Sequence, residues 1–171
     1  KDDYICSFLD LERGPRGVAP PYAGPASPVK KAVSAAAPGK SLVTLSDIAE
    51  EVAKCHACEL HKNRIYPVAG RGKESVRLMI IGDWLAQSEE PLPPGQTFGV
   101  EQERMLNRMM AAIKLSQKEV FITNVIKCAI PESSQPQANH VMSCASFLRR
   151  QIAVLNPEMI CTMGMIAERA V

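Results

Sequence analysis

Four of the six cysteines in this chain fall into two pairs whose spacing suits one shared centre: Cys55-His-Ala-Cys58, and Cys128 followed by Cys144 in a C-x15-C pattern. The first pair puts two thiolates on one turn, and the second brings two more across a loop and a helix start. Four thiolates suit either zinc or an iron–sulfur cluster, because both take soft sulfur ligands in a tetrahedral disposition; spacing alone leaves both open. The plainer alternative is a scatter of buried free thiols. Cys161 sits inside an apolar strand pattern and is expected in the core, whereas Cys6 has no evident partner. Residues Lys1 to Asp10 are interrupted by acids and lack the apolar stretch of a signal peptide. That places the chain in the cytoplasm, where thiols stay reduced and clustered cysteines point to metal or redox chemistry.

The second constraint is the run Val120-Phe-Ile-Thr-Asn-Val-Ile-Lys-Cys128, an apolar strand pattern that ends by delivering an amide and a thiol at neighbouring positions. With 171 residues and 46% apolar content, the chain can bury one sizeable core. Residues 1–13 form a short segment carrying Tyr4, Ile5, Phe8, Leu9 and Leu11, read as a plain tail or as a piece that docks on a protein partner. Residues 14–44 are rich in Pro, Ala and Gly and read as a disordered linker. The folded domain is expected over residues 45–171.

Within that domain the pattern alternates. A helix capped at Ser46 and Asp47 carries Ile48, Val52 and Cys55 on one face. Strands are expected at 76–82, 119–126 and 158–163, and helices at 101–115 and 140–155, with Met105, Leu106, Met109, Ala112 and Ile113 forming the buried stripe of the first of these. Strands separated by crossover helices predict an α/β fold, a parallel sheet with helices on both faces. The site of such a sheet lies at the carboxyl ends of its strands, here Gly82, Asn124 to Cys128, and Gly164. No run of about 18 apolar residues is present, so no membrane-spanning helix is expected. The formal net charge is only +2, so a nucleic-acid surface must be a local patch, with Lys62, Arg64, Arg71, Lys73, Arg77, Lys127, Arg149 and Arg150 as its candidates.

Several of these pieces, in this order, resemble the family 4 uracil-DNA glycosylases. They are C-x2-C followed by Leu60, Arg64, Val68 and Gly70; Leu78-Met-Ile-Ile-Gly82; Phe98; Ile122-Thr-Asn-Val-Ile-Lys-Cys128; Cys144 with Phe147-Leu-x-x-Gln151-Ile; and Pro157. The resemblance implies a three-layer α/β/α fold and a [4Fe-4S] cluster on Cys55, Cys58, Cys128 and Cys144, with zinc as runner-up. It implies DNA as partner, Phe98 as the ring on which a flipped base stacks, and Asn124 as the amide that reads its pairing edge.

Three features depart from the family pattern. Gly-Glu-Ala-Pro-Gly is replaced by Gly82-Asp-Trp-Leu-Ala86, which leaves Asp83 as the candidate catalytic carboxylate and brings Trp84 to the wall as a side chain expected to block the pocket. The asparagine and arginine expected after the third cysteine are Ser133 and Ser134, with Glu132 beside them as a general base in principle. Members continue to a fourth strand and a His-Pro-Ser motif, whereas this sequence ends at Val171, so the chain is expected to be a fragment or a sheet that lacks its last strand and leaves an open edge for a partner. His56, His61 and His140 are expected to be exposed polar residues, not substitutes for that motif. These departures point to a catalytically impaired or non-catalytic module that binds nucleic acid or a protein partner. The alternative is an active repair enzyme that hydrolyses uracil from DNA.

Overall fold

The computed structural model describes residues 43–87, 92 and 95–171; segment 1–13 and the linker up to residue 42 lie outside the described residues. Helix α1 (Leu45–Ala53) begins two residues earlier than a cap at Ser46 would place it. Thr44 is its N-cap, accepting the Asp47 backbone N–H on Oγ1 at 3.2 Å while Asp47 Oδ2 accepts the Thr44 N–H at 2.9 Å. This reciprocal box needs its acid three residues after the cap, which Thr44 has in Asp47 and Ser46 does not. Ile48 and Val52, one turn apart, are fully buried against Phe147.

The main sheet is parallel, in the order β4-β2-β6, with β2 (Leu78–Gly82) between β4 (Val120–Asn124) and β6 (Met159–Met163). Its register puts Gly82 opposite both Asn124 and Met163, so the carboxyl ends of all three strands finish level. Helix α3 (Val100–Ala112) covers one face, packing Leu106 and Met110 on Ile80, Val120 and Ile122. Helix α4 (Ala138–Leu155) lies across the other, where its Gln151 reaches Thr123, and the short α5 (Met165–Ala170) follows β6. The α/β architecture with helices on both faces is as expected. Among the described residues no strand lies beyond β6, and Met159, Ile160 and Met163 are exposed on it.

Three expectations are corrected. The run 119–126 does not continue as one strand: at Asn124 the ladder steps sideways, with Val125 N–H donating to Gly82 O and Ile126 N–H to Asp83 O. The chain then enters a second small sheet, where β5 (Cys128–Pro131) pairs antiparallel with β1 (Tyr66–Pro67) and parallel with β3 (Leu85–Gln87). Helix α3 is rotated from its expected register. Glu103, Leu106 and Met110 face inward, while Met105, Met109 and Ile113 are 62%, 53% and 67% exposed. The reason is Glu103, a charged residue that turns inward because Arg71 and Thr97 satisfy its carboxylate. The helix also stops at Ala112, where Lys114 adopts a left-handed φ of 54° and Leu115 N–H bonds back to Met110 O. Lastly, Cys161 is exposed on the outer strand β6 rather than buried.

Candidate metal centre and base pocket

The four cysteines arrive from four separate places. Cys55 follows the C-terminus of α1, Cys58 precedes the one-turn helix α2 (Leu60–Asn63), Cys128 opens β5, and Cys144 lies in the second turn of α4. Cys128 and Cys144 are buried among Leu60, Ile126 and Ile130, with Cys58 and Trp84 packed against them. Burial pushes the Cys144 thiol up to about 11, and the charges of Cys128 and Cys58 add to the effect. Burial likewise raises Cys128, opposed by a hydrogen bond from Arg64, while Cys58 and Cys55 raise it further. Buried thiols whose ionisation is opposed by neighbouring thiols, as at Cys128 and Cys144, suit a cationic centre, because a bound cation favours their ionised form. The donor set therefore fits an iron–sulfur cluster. Arg64 ties the halves together, donating to Val52 O and Ala53 O at the end of α1 as well as to Cys128. Among the described residues no group of three or more His, Cys, Asp or Glu is arranged to hold a metal ion. The zinc alternative therefore has no support among the described residues.

The histidines are more structural than expected. His140 is buried: its Nδ1 accepts the Gln137 backbone N–H at 3.0 Å, which leaves the proton on Nε2 to donate to Glu59 at 3.1 Å, beside Cys58. His61 Nδ1–H donates to Cys58 O.

The second feature lies at the ends of β2 and β4. A methyl placed on Gly82 would stand 2.3 Å from Phe98 Cε1 and 2.5 Å from Asn124 Oδ1, so glycine is what lets ring and amide close on this point. Asn124 is fully buried. Its Nδ2 donates to Thr97 O at 2.5 Å, and its Oδ1 has no hydrogen-bond partner among the described residues. Beyond Phe98 opens a cavity of about 680 Å³ whose walls include Asp83, Trp84, Phe98, Gln102, Glu132 and Met163. Sequence reasoning named four of these six; Gln102 and Met163 were missed, since neither carries a chemical signal. Asn124 stands behind Phe98 and is not part of the cavity wall.

Comparison with known proteins bears on this arrangement. A profile of the Uracil DNA glycosylase superfamily matches residues 69–171, from just before the first long strand to the end of α5. The chain belongs to that superfamily. The Type-4 uracil-DNA glycosylase of Archaeoglobus fulgidus is 32% identical over 124 residues, which cover 72% of this chain and 61% of the relative. That of Saccharolobus solfataricus is 36% identical over 118 residues, 68% of this chain and 54% of the relative. That of Thermotoga maritima is 31% identical over 120 residues, 70% and 62%. The chain thus spans between 54% and 62% of the length of these relatives.

Set within the superfamily fold, Asp83 has a particular duty. Its Oδ1 accepts the Ala167 N–H at 2.7 Å, the Ile166 N–H also bonds to the carboxyl, and the carboxyl fills the space beside Gly164, whose φ is +125°. The side chain thus fastens the end of β2 to the start of α5. Burial raises its pKa above 3.8, and the two backbone donors only partly offset this. The folded state then holds the proton more tightly than the unfolded chain, so stability falls as pH rises from 3.8 through the raised folded value. Asp83→Asn, which keeps an acceptor for Ala167, is expected to flatten this fall, measured as urea midpoints across weakly acidic pH. An unchanged slope would remove Asp83 as its source.

The expected basic patch is largely spent within the domain. Lys127 is 1% exposed, and its Nζ donates to Thr123 Oγ1 at 2.7 Å and Gln151 Oε1 at 2.6 Å. Burial pulls it down to about 7, against the charge of Cys144. It is a core residue, not a surface contact. Arg71 pairs with Glu103, Arg77 with Glu119 and Glu158, and Arg150 with both oxygens of Glu51. Lys62, Lys73 and Arg149 remain exposed. No helix among the described residues is long and apolar enough to cross a membrane.

Proposed function

We propose that this chain is a [4Fe-4S] module of the uracil-DNA glycosylase type that binds DNA and receives an extruded uracil, with its hydrolytic step impaired or lost. The observation that carries the reading is the buried Oδ1 of Asn124 beside Phe98, which has no hydrogen-bond partner among the described residues. A buried acceptor without a partner costs about 1–3 kcal/mol, and a base edge that presents an N–H would satisfy it once the Phe98 ring, which lines the cavity where Asn124 does not, shifted to stack on that base and let its edge reach the amide. Cys55, Cys58, Cys128 and Cys144 would hold the cluster, which supplies a structural cross-link between α1, β5 and α4. Exposed Lys62, Lys73 and Arg149 are candidates for phosphate contacts, whose contribution would be salt-dependent.

Impairment is favoured by the duty of Asp83: a carboxylate fastened to the start of α5 is poorly free to serve as acid or base. Glu132 on the cavity wall is the remaining carboxylate for activating water, and it favours the second reading, an active glycosylase. Trp84, on the same wall and packed against the cysteines, would narrow the space for a base.

Uracil release from single- and double-stranded DNA by anaerobically prepared, iron-loaded protein separates the two. No release, together with binding of uracil-containing DNA that Asn124→Ala weakens, supports the module. Release that Asn124→Ala abolishes supports the enzyme. In the module reading, Trp84→Ala is expected to raise affinity for uracil-containing DNA; no gain would remove Trp84 as the obstruction.

A further inference from the structure

The orientation of the Asn124 amide is not left to Asn124. Its Nδ2 donates to the carbonyl of Thr97, a residue that is itself fully buried. Since a carbonyl can only accept, the amide nitrogen must sit on that side, and Oδ1 is turned toward Gly82 and Phe98. Thr97 is held by its hydroxyl, which donates to Glu103 Oε1 at 3.2 Å. The other oxygen of Glu103 receives the Arg71 guanidinium. Arg71 is fixed in turn through its backbone, which exchanges both hydrogen bonds with Ile122 at 2.8 Å, two residues before Asn124 on the same strand. Gly70 and Gly72, at φ of +100° and +140°, shape the turn that brings Arg71 there. The connections form a closed circuit that starts and ends on β4: Ile122, Arg71, Glu103, Thr97, Asn124.

Such a circuit is costly unless it does something. Glu103 occupies an inward position on α3 that an apolar side chain would fill at less desolvation cost, and among the described residues its carboxylate is satisfied by Arg71 and Thr97. A free amide can rotate by half a turn and exchange its acceptor for its donors, and so can accommodate either of two opposite base edges. One tied through Thr97 cannot, without breaking that bond and facing two carbonyl oxygens toward each other.

We propose that Thr97, Glu103 and Arg71 are positioning residues that lock the Asn124 amide with its oxygen toward the base. They thereby select pyrimidines whose ring nitrogen carries a proton, as in uracil, over those whose ring nitrogen is an acceptor, as in cytosine. The selectivity part rests on the base-binding reading above, whereas the positioning part does not.

The test measures the two parts separately. In ¹⁵N-labelled protein, the Asn124 Nδ2 proton bound to Thr97 O is followed by solvent exchange. Affinity is measured for two single-stranded oligonucleotides, one with 2′-fluoro-2′-deoxyuridine and one with 2′-fluoro-2′-deoxycytidine, whose glycosidic bonds resist cleavage. Thr97→Val removes only the hydroxyl and is expected to speed the exchange by about 10-fold or more and to reduce the preference for the uracil oligonucleotide by a similar factor. Glu103→Gln leaves one carbonyl oxygen for two donors and is expected to lie between the native protein and Thr97→Val. Thr97→Ser, which keeps the hydroxyl, is expected to retain both properties, a rescue that a merely space-filling role would not produce. Unchanged amide exchange in Thr97→Val and Glu103→Gln overturns the lock, whatever the base preference. A native protein indifferent to the two oligonucleotides overturns the base-binding reading and the selectivity with it, while the exchange measurement still decides the lock. A native preference that survives in both variants overturns the selectivity role alone.

Discussion

Cys128→Ser is expected to lose most of its iron and to unfold at a temperature lower by roughly 10 °C or more. The size follows from the position of this thiol. Cys128 is buried at the first residue of β5, in one apolar cluster with Leu60, Ile126, Ile130 and Cys144, and its thiol senses Arg64, Cys58 and Cys55. A serine hydroxyl is a harder donor than a thiolate and would leave a polar group in an apolar surround. Because the ligand set exists only in the folded chain, ligand affinity is folding free energy, and losing one ligand withdraws both. Cys161→Ser, on the exposed strand β6, is the matched control and should change neither iron nor midpoint. Full iron and unaltered stability in Cys128→Ser would refute the four-thiolate assignment.

The second large effect belongs to the pocket. Gly82→Ala would drive a methyl to 2.3 Å from the Phe98 ring and 2.5 Å from Asn124 Oδ1. Asn124 cannot retreat, since Thr97 holds its other end, and Phe98 is packed against the core under α3. Overpacking of this kind costs about 1–3 kcal/mol. Uracil-containing DNA should bind at least about 10-fold more weakly, because the methyl occupies the approach to the reading oxygen. Gly99→Ala offers the comparison: its added methyl would meet only the far end of the flexible Gln102 side chain. If Gly82→Ala retained native affinity for uracil-containing DNA, the point where Phe98 and Asn124 converge would not be the base site.

What the sequence conveyed well were features with local signatures. The apolar runs at 78–82 and 120–124 are strands because both their faces are covered, and such strands need no alternation. The cysteine pairs stood out as candidates by their spacing and Phe98 and Asn124 through the family resemblance, and the last two do converge at Gly82. The misses share another cause, which is satisfaction at a distance. Glu103 reads as a surface acid until Arg71, 32 residues away, is placed against it, and that pairing turns the whole helix α3. Lys127 reads as a surface cation because its partners Thr123 and Gln151 carry no opposite charge. His140 is concealed by Gln137 and Glu59 in the same way. The lateral step at Asn124 is written in bonds to Gly82 and Asp83, which no inspection of 119–126 alone contains.

The placement of the cysteines also bears on the order in which the protein can be built. Residues 59–127, which separate the Cys58 and Cys128 thiols, comprise α2, β1, β2, β3, α3 and β4, including two of the three strands of the main sheet. Cys144 waits for α4 to form and dock. A nascent chain therefore offers only two of these four thiols until residue 128 has been made, and the fourth only once residue 144 follows. A centre held by all four thiols would act on the unfolded ensemble as a knot in a long loop acts on a rope, removing loop entropy that grows with the logarithm of its length. On the proposed assignment, cluster insertion would therefore be a late checkpoint on folding, and loss of the cluster would untie α1, β5 and α4 at once.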